Sequence, residues 1–218
     1  MIKKAGLSTI AIMLIILLGF LGVYLVKSSR QGSINETGKN YTINIEYPKT
    51  GSVFVDNDIK VLLASEIFHF KRALMDQKNN PADWKYDLVI NYETFDSRSD
   101  IKSVKFEIYS FTGGAHGMTR IRTKVFDMKN SKILSLADIF RNDPDYLKKI
   151  SSYVANQFKK AKISDDNWVM DGAGPTESNY SSFVITPLCI IFYFDPYQVA
   201  CYAAGVQKVE MPLLNEPN

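Results

Sequence analysis

The chain has 218 residues, 46% of them hydrophobic and 22% charged, a globular composition that excludes a disordered or low-complexity protein. Its two histidines and two cysteines lack CxxC or HxxxH spacing, and zinc usually takes about four ligands, so no metal site is expected. The net charge of +3 is carried by Lys3, Lys4 and Lys27; beyond Lys27 bases and acids number 23 each, and a neutral body argues against a nucleic-acid binder.

The run Ala5 to Val26 holds 22 residues without a charge. At about 1.5 Å per residue it reaches roughly 33 Å, enough to cross a hydrocarbon core of about 30 Å. It is too long for a signal-peptide core, and no small-x-small cleavage site follows it. It is therefore predicted to be an uncleaved membrane anchor over residues 1–27. The lysines ahead of it place the amino terminus inside and the body outside the cytoplasm. Residues 28–40 (SSRQGSINETGKN) are polar and predict a flexible tether.

Residues 41–47 alternate apolar and polar, which predicts a half-buried strand. Asp56 to Gln77 predicts a helix, with Ile59, Leu63, Ile67, Phe70 and Leu74 at helical spacing and Asp56 or Asn57 as cap. Strands are predicted over 86–95, 104–111 and 119–128. A second helix is predicted from Asp143-Pro144, with Leu147, Ile150, Val154 and Phe158 as its buried stripe. Residues 165–179 read as loop; 182–186 and 188–194 read as paired strands, and 206–211 as a last one. This order predicts an α+β fold with mostly antiparallel sheet and two main helices behind one transmembrane segment.

Three stretches carry a family resemblance. They are Ser110-Phe-Thr-Gly-Gly-Ala-His-Gly117, the run from Val125 to Phe140, and Ile191 to Gly205 followed by Val209-Glu-Met-Pro212. Together they resemble the extracytoplasmic modules of the peptidoglycan deacetylase PdaC and anti-sigma-V factor RsiV family, over about Tyr41 to Leu214. The resemblance divides the body into a PdaC-like half, 41–120, and an RsiV-like half, 121–214. It implies an envelope-facing module, and for the RsiV-like half it implies lysozyme binding. The separate deacetylase domain and the sigma-binding segment are not expected here, so neither activity is carried over. Cys201 stands where the resemblance leads one to expect proline.

The candidate binding residues are Gly113, Gly114, His116, Gly117, Tyr197 and Tyr202. Three glycines let backbone N–H groups approach a partner closely, and tyrosine combines a large ring with a polar tip. The competing reading makes the first group a strand connection and the tyrosines a half-buried turn. His116 as a catalytic base needs a nucleophile or metal beside it, and the sequence names none, so no catalytic residue and no cofactor is assigned. Asp165, Asp166, Asp171 and Glu177 read as a solvated loop rather than glycosidase carboxylates. An oxidising compartment permits a bridge between Cys189 and Cys201, without requiring one.

The expectation is a single-pass membrane protein whose outer domain binds a lysozyme-like protein or peptidoglycan. The expected role is a binder rather than an enzyme. The alternatives are an accessory subunit or remnant of a cell-wall deacetylase, or a structural envelope protein.

Overall fold

The computed structural model describes residues 30–75, 84–97 and 100–213. The predicted anchor, residues 5–26, lies outside them. Among the described residues no helix is long and apolar enough to cross a membrane.

Alternating side chains build a six-stranded sheet in chain order: β1 (Gln31–Thr37), β2 (Tyr41–Pro48), β3 (Tyr86–Ser97), β4 (Ile101–Phe111), β5 (Met118–Asp127) and β6 (Lys132–Ile133). All neighbours pair antiparallel except β2 and β3, which run parallel because helix α1 (Val53–Met75) crosses between them. Ile43, Ile45, Leu88, Ile90, Val104, Phe106 and Ile108 face α1, which answers with Val55, Ile59, Leu63 and Phe70. Asp58 and Glu66 on the helix pair with Lys124 and Arg120 on β5.

A second sheet, β7 (Phe183–Ile185), β8 (Cys189–Phe194) and β9 (Gln207–Pro212), sits on the opposite face. The outer edge of β7 is covered by hydroxyls of the large sheet: Thr123 Oγ1 accepts from Phe183 N at 2.8 Å and Ser103 Oγ from Ile185 N at 3.0 Å. Ser97 Oγ donates to Thr186 O at 3.0 Å. These bonds satisfy an edge that would otherwise bury unpaired backbone. Beyond the small sheet lie α2 (Leu136–Ile139), α3 (Tyr146–Ala161) and α4 (Asp166–Ala173). Here the core is aromatic, with Phe158, Tyr180, Phe192 and Phe194 packed edge to face.

Several expectations need correction. The polar linker drawn over 28–40 contains β1, because Ile34 packs into the core and the whole segment pairs with β2. The boundary between 120 and 121 falls inside β5. Helix α3 starts at Tyr146, since Asp143 turns its carboxylate to Asp145 N and Lys149 instead of capping. The loop expected over 165–179 holds α4, capped by Asp165, which accepts from Asn167 N and Trp168 N.

The Cys189–Cys201 bridge does not form, and both thiols are free. Cys189 opens β8 while Cys201 lies beyond its far end. The strand alone separates those ends by roughly 16 Å, against the ~7 Å limit between bridged Cα atoms.

Candidate functional site

The connection from β4 to β5 and the chain that leaves β8 meet at one end of the two sheets. In the first, Gly113 and Gly114 have φ of 106° and 94°. Side chains rarely tolerate that region, so the tight loop requires glycine at both positions. His116 projects from it, exposed, and Gly117 is buried behind it. His116 Nδ1 lies 2.9 Å from Gly117 O, which makes that nitrogen the donor and, in the neutral ring, leaves Nε2 as acceptor. Gly113, Gly114 and Ala115 donate no backbone N–H to any described residue.

The second segment is the turn Asp195-Pro-Tyr-Gln198, closed by Gln198 N donating to Asp195 O at 3.0 Å. Proline occupies its second position, and Tyr197 takes φ of 71° at the third, where glycine is usual. Such strain in a non-glycine residue persists only where its surroundings over-determine it. Asp195 Oδ1 accepts from Ile121 N at 2.6 Å, and Oδ2 from Arg122 at 3.0 Å. Gln198 Nε2 donates to Gly172 O at 2.9 Å and Asn179 O at 3.0 Å. Trp168 Nε1 donates to Tyr197 O at 3.0 Å. Gly172 is obligatory here, because a Cβ would lie 1.8 Å from Gln198 O.

The two segments share one stack of rings. His116 lies on Tyr202 with centroids 3.9 Å apart and planes 22° from parallel, and Tyr202 meets Tyr197 at 5.7 Å. Tyr202 OH donates to Gly117 O at 2.9 Å, so that one carbonyl ties His116 and Tyr202 together. Tyr197 ends the stack half exposed, at 50%.

Gly113, Gly114, His116, Gly117, Tyr197 and Tyr202 are therefore one constellation. Sequence reasoning missed Gln198, Trp168 and Gly172, which hold it together with Asp195. The Asp-Pro-x-Gln spacing was visible, but its bonds are long-range. Three of the four acids at 165–177 have structural partners: Asp165 caps α4, Asp166 pairs with Lys159 and Glu177 accepts from Tyr146 OH. What the constellation offers chemically is ring surface, one imidazole acceptor and unpaired backbone donors.

Fold and site thus define a two-part α+β module in which a loop of one half and a turn of the other share a ring surface. Comparison with known proteins identifies the two parts: residues 34–119 match the family described as deacetylase PdaC, and residues 137–213 match a family of unknown function, DUF3298. The chain is thus similar to PdaC over residues 34–119 and to DUF3298 over residues 137–213, as the motifs at 110–117 and 191–212 led one to expect.

Over 174 residues it is 30% identical to the peptidoglycan-N-acetylmuramic acid deacetylase PdaC of Bacillus subtilis, covering 79% of this chain and 37% of that protein. It is 25% identical over 176 residues to the immunogenic protein MPT64 of Mycobacterium tuberculosis, covering 79% and 75%. Solved DUF3298 structures share the fold. One from Bacteroides fragilis has a TM-score of 0.57 at 20% identity, covering 84% of this chain and 88% of that one. One from Pseudomonas aeruginosa has a TM-score of 0.57 at 15% identity, covering 84% and 89%.

Proposed function

We propose that the protein is an extracytoplasmic module of the cell envelope, held to the membrane by residues 5–26, that binds the glycan strand of peptidoglycan at the His116–Tyr202–Tyr197 surface. The observation that carries this reading is the half-exposed Tyr197 ring, set on strained backbone in a turn that five neighbours hydrogen-bond, and continuous with two further rings. A pyranose ring lays its C–H face on an aromatic face, and its N-acetyl group needs one acceptor and one donor. His116 Nε2 supplies the first and the loop amides supply the second. The similarity to a deacetylase whose name specifies peptidoglycan supports the same substrate class.

The reading is of binding and not of turnover, because His116 has its Nδ1 held by Gly117 O and its face by Tyr202, and no hydroxyl or thiol of a described residue is hydrogen-bonded to it. Co-sedimentation of the detergent-purified chain with purified sacculi tests it, with immobilised lysozyme as the second bait. Saturable binding to sacculi that Tyr197→Ala weakens supports the reading. Capture by lysozyme alone moves the partner to a protein, the other ligand expected from the sequence. Retention by neither bait leaves an accessory or structural role, and acetate release from sacculi makes the module an enzyme.

A further inference from the structure

Helix α1 has two apolar faces. Its inner stripe, Val55, Ile59, Leu63 and Phe70, is buried on the large sheet. Its outer face carries Val53, Val61, Phe68 and Met75, exposed by 76%, 69%, 60% and 72%. Exposed apolar residues in a row along a helix call for a second partner, and the described fold covers the inner stripe alone.

Charge on α1 is sorted by face. All three acids turn back into the protein: Asp56 accepts from Thr50 N and Oγ1, Asp58 pairs with Lys124, and Glu66 pairs with Arg120. Lys71 is taken by Glu36. The charges left exposed on the helix are Lys60 and Arg72, both basic. Apolar residues flanked by bases and cleared of acids are the pattern of a helix lying in the interface of an anionic bilayer.

The chain enters the fold beside this helix. Arg30 O accepts from Lys49 N at 2.6 Å, Gln31 pairs with Pro48, and α1 starts at Val53. The charge-free run ends at Val26, so residues 27–29 alone separate it from Arg30. Three extended residues span about 10 Å.

We propose that the outer face of α1, Val53, Val61, Phe68 and Met75 with Lys60 and Arg72, docks on the surface of an anionic lipid bilayer. The occupant is lipid, and the proposal rests on reading residues 5–26 as the anchor that brings the helix within reach. Docked in this way, the fold lies with α1 against the membrane and the small sheet and α3 away from it. The ring surface then opens sideways, at the end of the large sheet opposite the point where the chain enters.

The test uses the full chain, with Cys189→Ser and Cys201→Ser, in vesicles of three parts zwitterionic to one part anionic lipid. A single nitroxide is attached through Val61→Cys, Phe68→Cys or, on the far layer, Lys160→Cys. Collision with oxygen, which concentrates in lipid, is compared with collision with an aqueous nickel chelate. The proposal expects an oxygen-to-nickel ratio severalfold higher at positions 61 and 68 than at 160. Equal ratios at the three positions overturn it. Dipolar broadening between labels at 68 also overturns it, because a second copy then covers the helix.

Alkaline carbonate washing reports on the anchor separately. Chain retained through the wash with equal ratios leaves the anchor and removes the docking. Chain that shows the expected ratios before the wash and is released by it leaves the docking and removes the anchor.

Discussion

The two segments that build the ring surface are held by opposite means. The turn at 195–198 is fastened through side chains that reach across the molecule: Asp195 to β5, Gln198 to α4 and to Asn179, and Trp168 back to Tyr197. The loop at 112–117 has no comparable fastening. Its shape comes from two glycines at positive φ, and its seat comes from a single carbonyl, Gly117 O, that accepts from His116 and Tyr202. The difference teaches where affinity and stability reside. Changes in the turn's supports act on folding, while changes in the exposed rings act on binding.

The widest effect expected concerns the aromatic half on which the turn rests. Burial pushes the Tyr180 and Tyr193 phenols up to about 12. Their folded values lie above the unfolded value of about 10, so the stability they contribute is fully present below pH 10 and is lost as pH rises toward 12. Melting temperature should fall steadily across that window. The fall should be shallower in Tyr193→Phe, and an identical profile in that variant removes burial of the phenol as the cause.

Next in size is Asp195→Ala, which leaves Ile121 N without its partner and Arg122 with Ile121 O alone. A lost hydrogen-bonded charge of this kind costs about 3 kcal/mol, read from the urea midpoint. A loss under about 1 kcal/mol would show that the turn is not fastened as described. Tyr197→Ala should do the reverse: glycan affinity falls about thirtyfold, or about 2 kcal/mol, at an unchanged melting temperature. A lowered melt with intact affinity makes Tyr197 structural. Smallest is Tyr202→Phe, which keeps the ring and removes the bond to Gly117 O. It should cost about 1 kcal/mol of stability, or less because Gly117 O keeps His116 as a donor.

How far the sequence carries this account can be followed element by element. The strands predicted over 41–47, 86–95 and 104–111 were legible because their alternation is strong and local. Strand β1 was not, since Ile34 is the one large apolar residue in QGSINET and its partner strand supplies the rest of the signal. Helix α4 was hidden because Gly172 weakens its pattern, and the need for that glycine comes from Gln198, distant in the chain. The inner stripe of α1 was read as spaced, while its exposed outer face became visible only once the sheet had claimed the other side.

At the site, residue type was legible and assembly was not. A glycine-rich loop and two tyrosines announced themselves as surface chemistry. That they stack on one another depends on Asp195 binding β5, a contact between residues 74 apart. The permitted Cys189–Cys201 bridge was likewise decided by long-range placement. The sequence left the bridge open, because a spacing of twelve residues does not fix a distance, and a strand keeps the two thiols apart.

The central claim is that loop and turn form one binding surface, and a double-mutant cycle tests it most directly. Sacculus affinity is measured for the wild type, His116→Ala, Tyr197→Ala and the double variant, with melting temperature recorded for each. Rings in one stack act as a unit, so each single change should remove most of the affinity that the pair removes. The coupling expected is about 1 kcal/mol, with the melts unchanged. Losses that add with no coupling, or an affinity indifferent to both substitutions, would contradict the account.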